Sequence, residues 1–294
     1  MRRKPATAWR GGRLLALRPL LLFVLAVAAA ADDRALIDSQ AERVESAVAR
    51  LRPQEPGKAD VFFLGFAGYG GQAVFRKEAD FARRAFEHRY GADGRSVLLV
   101  NDERDRETYP IASRTNLRHA LRLVGERMDP AEDVLVLLLT SHGSAEEGLD
   151  VSNGTLPLAE LRPRDVRDAL DDAGIRWRIV IASACFSGIF IRPLRDASTL
   201  VLTAADAAHS SFGCEDEREL TWFGEALLRD ALPDAASLEE AFRTARGIIE
   251  RRERQEGVER SRPQIHVGKA VRAKLAELEA ARALARRTPA AQVN

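Results

Sequence analysis

Two stretches decide the fold: residues 134–144, Val-Leu-Val-Leu-Leu-Leu-Thr-Ser-His-Gly-Ser, and residues 179–188, Ile-Val-Ile-Ala-Ser-Ala-Cys-Phe-Ser-Gly. Each begins as a short apolar run and ends in small and polar residues that include one reactive side chain. The runs are continuous rather than alternating, so both faces of each strand must be covered. That pattern belongs to a parallel sheet between helical layers. Val61–Leu64, Val97–Val100 and Leu200–Leu202 have the same character. Segments of helical spacing lie between them. Phe75, Ala79, Ala82 and Phe86 form one stripe, ended by Gly91, and Leu117, Ala120, Leu121, Val124 and Met128 form another. A third segment runs from Arg164 to Ala173 and is closed by Gly174. Strand and helix in alternation predict an α/β fold of three layers, α/β/α. Pro263–Gly268 reads as an edge strand, which makes the mostly parallel sheet six-stranded.

The flanks extend this frame. Ile37, Ala41, Val44, Val48 and Leu51 predict a leading helix that stops before Pro53, and Pro53–Gly57 is a linker. After the fifth run, a helix is expected over Phe223–Asp230. Ser237 with Glu240 is a capping box that opens another helix. Lys269–Arg287 is Ala-, Leu- and Arg-rich with a narrow apolar stripe (Val271, Leu275, Leu278), a peripheral helix. The expected organisation is a leading helix and linker over 32–58, an α/β domain over 59–268, and a C-terminal helix and tail over 269–294.

Residues 1–31 stand apart. They hold six basic residues and no acidic one, followed by an apolar run from Leu20 and the small residues Ala28–Ala31. This is the layout of a cleaved signal peptide and predicts a periplasmic or secreted protein. The alternative is an uncleaved anchor in the inner membrane, but a dozen apolar residues fall short of the ~20 a spanning helix needs. The membrane enters as a partner only in that case.

The chain has 294 residues, with 45 Lys+Arg against 44 Asp+Glu. That balance, with 46% hydrophobic residues, excludes a disordered chain and a multi-span membrane protein. It also argues against a dedicated nucleic-acid binder, which would carry a basic excess. The five His and two Cys lack metal-ligand spacing, so no metal is expected. Phe66-Ala67-Gly68-Tyr69-Gly70-Gly71 is Gly-rich but lacks the dinucleotide fingerprint, so no cofactor is expected. It reads as a loop that brings backbone close to a substrate.

Sites in open α/β sheets form outside the carboxyl ends of the strands. His142 follows the third run and Cys185 the fourth. If those strands are neighbours, an imidazole and a thiol meet at one edge, within reach for proton transfer. A thiolate is a strong nucleophile, and a nearby imidazole can take its proton. The Gly143 and Cys185 N–H groups could hold a developing oxyanion. Two other readings accompany this one: a strand-end Cys as an inert buried side chain, and a disulfide to Cys214, the only other cysteine.

Ser-His-Gly after one apolar strand and Ser-Ala-Cys-Phe-Ser-Gly after the next resemble the caspase-like clan of cysteine peptidases. Within it the chain is similar to the legumain (asparaginyl endopeptidase) family, including its bacterial members and the catalytic subunit of the GPI-anchor transamidase. Two further segments carry the resemblance: Thr203–Cys214 (TAADAAHSSFGC) and Phe75–Asp80 (FRKEAD). It spans residues 59–268 and implies a caspase-like fold and cleavage of a protein or peptide substrate after Asn. It implies His142 as general acid/base, Cys185 as nucleophile, and Gly143 and Cys185 N–H as the oxyanion site. The specificity pocket it implies is made by Arg76, Ser210 or Ser211, and Glu225. A cation and a carboxylate would match the acceptor and donor ends of an asparagine amide. Phe186 stands where legumain has an acidic residue after its nucleophile, and Glu225 stands for the usual Asp. Both departures bear on Asn selectivity rather than on catalysis. The position two before the nucleophile is Ser183, not the Asp of metacaspases. With Cys185 as nucleophile, Cys185 and Cys214 are expected as free thiols. A ligase using the same thioester, or a non-catalytic envelope assembly protein, are the alternative functions.

Overall fold

A computed structural model describes residues 33–287. The proposed signal peptide at 1–31 and the tail beyond Arg287 lie outside the described residues. The described residues fall into two units, one ending at Ser39 and one beginning at Gln40. The leading helix is interrupted at Ser39. Residues 33–38 are helical, Ser39 is a turn, and α1 (Gln40–Ala49) follows. The Ser39 hydroxyl donates to the Leu36 carbonyl at 2.9 Å, the local bond by which serine competes with helical pairing.

The second unit holds the central sheet: β1 (Val61–Ala67), β2 (Ser96–Val100), β3 (Val134–Thr140), β6 (Trp177–Ser183), β7 (Thr199–Thr203) and β8 (Gln264–Val267). Two short strands, β4 (Gly143–Ser144) and β5 (Gly148–Leu149), form a separate hairpin after β3. The sheet order is β2-β1-β3-β6-β7-β8. All its pairs are parallel except β8, which runs antiparallel to β7 at the edge. Every residue of β1, β3, β6 and β7 is buried, as the continuous apolar runs require.

Alternation along β1 sorts the core into two halves. Val61 and Phe63 pack with α2 (Ala73–Tyr90) through Val74, Phe75, Ala79 and Phe86, and with Phe242 and Val271 from the later helices. Phe62, Leu64 and Phe66 face the other way. They meet Val44 and Val48 of α1, Leu117 and Leu121 of α3 (Arg114–Gly125), and Val166 and Leu170 of α4 (Pro163–Asp172). Helices therefore cover both faces, and the expected three-layer α/β/α, caspase-like architecture is present.

Helix ends follow their sequence signals. Ser113 caps α3 by accepting from Asn116 N–H at 3.1 Å, and Ser237 accepts from Glu240 N–H at 3.2 Å. The segment predicted as one helix over Phe223–Asp230 is a single α-turn, Trp222–Gly224, running into a π-helical stretch, Glu225–Ala231. No helix among the described residues is long and apolar enough to cross a membrane.

Candidate active site

The carboxyl ends of β3 and β6 set the site. Thr140 and Ser183 are register partners, and Ser141 N–H donates to the Ser183 carbonyl at 3.3 Å. His142 and Cys185 each lie two residues further on, so both leave the sheet at one level from adjacent strands. The next residues interlock. A Cβ on Gly143 would stand 2.4 Å from the Cys185 carbonyl oxygen, far inside van der Waals contact. The expectation gave the Gly143 N–H a role in holding an oxyanion, which any residue's N–H could fill. The backbone shows a reason for glycine, which is the approach of the Cys185 main chain.

His142 is held on three sides. The rings of Tyr69 and Phe75 stand edge-on to it at centroid distances of 4.8 and 5.1 Å. Gln72 Oε1 lies 2.6 Å from Nε2. The Gly-rich loop 66–71 thus supplies Tyr69 as a wall for the imidazole. Burial pushes the imidazole below its ordinary pKa, with the Asp150 carboxylate opposing. Asp150 is itself pushed up by burial, with His142 opposing.

Cys185 is half-buried and free, as is Cys214. Ser211 wraps the sulfur: its N–H donates to Sγ at 3.3 Å, and the thiol donates to its carbonyl at 3.4 Å. Phe186 follows at φ 56°, a left-handed conformation costly for a non-glycine residue. Its N–H is committed to the His209 carbonyl at 2.9 Å. From Ser187 the chain makes a 3-10 turn, Ser187–Phe190, and one α-turn, Ile191–Leu194. Burial, then the neighbouring Cys185 and Glu215, push the Cys214 thiol up. His209 pairs with Asp206 at 2.6 Å, both in the loop after β7.

The expected pocket residues divide. Ser211 reaches Cys185, whereas Ser210 is exposed beside it. Arg76, on the first turns of α2, pairs with Asp102 at 2.7 Å. Asp102 also takes Arg104, which reaches Asp216. Glu225 is engaged elsewhere. Its carboxylate accepts from Arg218, from Arg229 at 2.5 Å and from Arg252 at 2.8 Å. Burial would raise this carboxyl; Arg252, Arg229 and Arg218 outweigh it and hold it below its ordinary value. None of the hydrogen bonds of Glu225 reaches His142 or Cys185.

The carboxylate at the start of that helix is instead Glu78, fully buried, arriving from α2. It accepts from Thr140 Oγ1 at 2.9 Å and from Thr221 N–H at 2.8 Å. Thr221 Oγ1 shares a hydrogen bond with Ser183 Oγ at 3.1 Å. One carboxylate thereby ties the ends of β3 and β6 to the loop that carries Ser211. A Cβ on Gly224 would collide with it at 2.1 Å, which accounts for that glycine. Gln72 carried no sequence signal beyond its place just before the helix that follows the first strand, and Glu78 none beyond its place within Phe75–Asp80. A groove of about 690 Å³, lined by Lys58, His88, Tyr90 and Leu278 among others, opens at the opposite end of the sheet and holds none of these residues. Among the described residues no group of three or more His, Cys, Asp or Glu is arranged to hold a metal ion.

A family model described as the peptidase C13 family matches residues 125–274, which include β3, the hairpin, β6, β7 and the loop between β7 and Trp222. A search of curated protein sequences returns no significant match.

Proposed function

The chain belongs to the peptidase C13 family and is a cysteine peptidase; from that premise we propose that His142 and Cys185 form its dyad and that it cleaves after Asn. The observation that carries the dyad is the paired register of β3 and β6, which sends both side chains off one sheet edge from neighbouring strands.

In this reading the thiol proton of Cys185 passes to the imidazole of His142. The sulfur then bonds to the scissile carbonyl carbon, and the C=O electron pair moves to oxygen. The backbone N–H groups of Gly143 and Cys185 receive that oxyanion, since Phe186 N–H is already spent on His209. Collapse re-forms the carbonyl, and His142 returns the proton to the leaving amine. Water, deprotonated by the same imidazole, hydrolyses the thioester and releases Cys185. The low-lying pKa of His142 keeps it in its proton-accepting form near neutral pH.

Arg76 and Ser211 are the pocket groups we assign to the Asn side chain. The paired Asp102 offsets the Arg76 charge, which favours a neutral amide over an aspartate in that pocket. Glu225, in this reading, braces the loop through Arg218 and does not meet the substrate. Residues 1–31 export the chain. The test is hydrolysis of peptides carrying Asn, Asp or Lys at the cleaved residue. Preference for Asn, lost in Cys185→Ala and in His142→Ala, supports the proposal. Activity that persists in either variant removes the dyad, and equal rates on all three peptides remove the Asn pocket.

A further inference from the structure

We propose that Gln72 is a positioning residue of this centre. Its side-chain oxygen accepts the Nε2 proton of His142 and so holds the neutral imidazole with Nδ1 as the free, proton-accepting nitrogen. The inference rests on the assignment of His142 as the base.

The contact itself is short, 2.6 Å between Oε1 and Nε2. The conformation of Gln72 gives a second argument. It is the N-cap of α2, with extended backbone (φ −131°, ψ 129°), yet its side chain makes no cap hydrogen bond. An N-cap side chain normally serves the first-turn N–H groups of its own helix. Here that duty falls to Asp216, from the loop after β7, whose Oδ1 accepts from Ala73 N–H at 2.5 Å. Arg104 holds Asp216 in place from the other side. A residue brought from 143 positions away caps the helix, and Gln72 is released to face the imidazole.

The remaining walls leave one edge of the ring open. Tyr69 and Phe75 stand against the imidazole at interplanar angles of 74° and 77°. Gln72 occupies Nε2, so the edge that contains Nδ1 remains for the thiol. Of the charged and titratable groups, Tyr69 stands edge-on to His142 and Asp150 acts on it from the hairpin side; the Cys185 main chain abuts Gly143, the residue after it. Arg76, one turn along α2 from Gln72, is paired to Asp102.

The choice of an amide has a chemical consequence. A carboxylate at this position would stabilise the imidazolium, as in Ser-His-Asp centres. A neutral amide fixes the tautomer without that stabilisation. In this proposal the proton moves from Sγ to Nδ1 when the sulfur attacks.

The test is the ¹⁵N–¹H multiple-bond spectrum of histidine-labelled full chain without substrate, with the His142 signals identified by their loss in His142→Ala. The expected wild-type pattern is a protonated Nε2 and a bare Nδ1 at neutral pH. Gln72→Ala should lose that preference and lower kcat about 10²-fold with little change in KM and in melting temperature. Gln72→Glu keeps an oxygen acceptor and restores the tautomer. Its charge should raise the acid limb of the pH–rate profile by about one to two units and speed alkylation of Cys185 by iodoacetamide at pH 6. A wild-type pattern with Nδ1 protonated overturns the proposal, as does a Gln72→Ala enzyme with unaltered kcat and pH profile. A drop in kcat that merely tracks a drop in melting temperature, with the tautomer unaltered, also overturns it. The spectrum needs no turnover, so this failure is separate from failure of the dyad, which shows as activity retained in His142→Ala.

Discussion

At the amino ends of β1 and β3, Asp60 lies 3.1 Å from Arg95, and both are almost wholly buried. Arg95 also donates to the Pro53 carbonyl at 2.8 Å and to Glu55 at 3.0 Å. Asp60 N–H donates to Asp133 at 2.9 Å. At the carboxyl ends of β3 and β6 the partners are of another kind. His142 meets a neutral amide, Cys185 meets a single serine, and Phe186 holds a left-handed backbone. Asn153, in the loop after β5, is fully buried, and neither polar atom of its side chain has a partner. One sheet edge buries charges that are answered by charges. The other gives His142 and Cys185 neutral hydrogen-bond partners. The difference teaches where stability is stored: buried charge answered by charge braces the amino edge, while the carboxyl edge gives its thiol and imidazole neutral hydrogen-bond partners.

The contrast can be broken by substitution, beginning with the largest expected effect. Cys185→Ala and His142→Ala should each lower kcat/KM by about 1,000-fold or more while leaving the urea midpoint nearly unmoved. Arg95→Ala should do the reverse. Stripping the cation from buried Asp60 should cost about 3–5 kcal/mol in urea unfolding, with kcat/KM per folded molecule unchanged. A fall in kcat/KM per folded Arg95→Ala molecule would erase the distinction between the two edges.

Gly143→Ala sharpens it from the reactive side. The added Cβ meets the Cys185 carbonyl, so activity should vanish at a stability cost of only about 1–3 kcal/mol, read by peptide turnover and urea together. The pH dependence gives a smaller signal. Burial lowers the pKa of His142, so the acid limb of kcat/KM should fall below the ordinary imidazole value of about 6.5. The same shift favours protonation of the unfolded chain. This group's contribution to stability is therefore complete above about pH 6.5 and is lost as pH falls through that value toward the lower folded pKa. Phe186→Gly should have the smallest effect. Relief of the positive φ offsets the lost ring contacts, and unfolding free energy should change by less than about 1 kcal/mol.

Five strands were legible because continuous apolar runs have one economical use, strands covered on both faces, and the edge strand appears within Pro263–Gly268. Placing His142 and Cys185 at one edge needed only the rule for strand ends. What stayed hidden depends on direction rather than position. Trp222-Phe223-Gly224-Glu225 suggested a pocket acid, but a sequence does not say which way a carboxylate turns on a helix. Glu225 turns to three arginines, and Glu78 fills the space above Gly224. Gln72 was hidden for a similar reason. Its release from capping depends on Asp216, which only the folded loop brings to Ala73.

The most direct test of the central claim is labelling of the purified chain with an Asn-directed peptidyl acyloxymethyl ketone, followed by peptide mapping. The account expects a single label on Cys185, absent in His142→Ala, with Cys214 untouched. A label on Cys214, or on Cys185 at the same rate with and without His142, would contradict it.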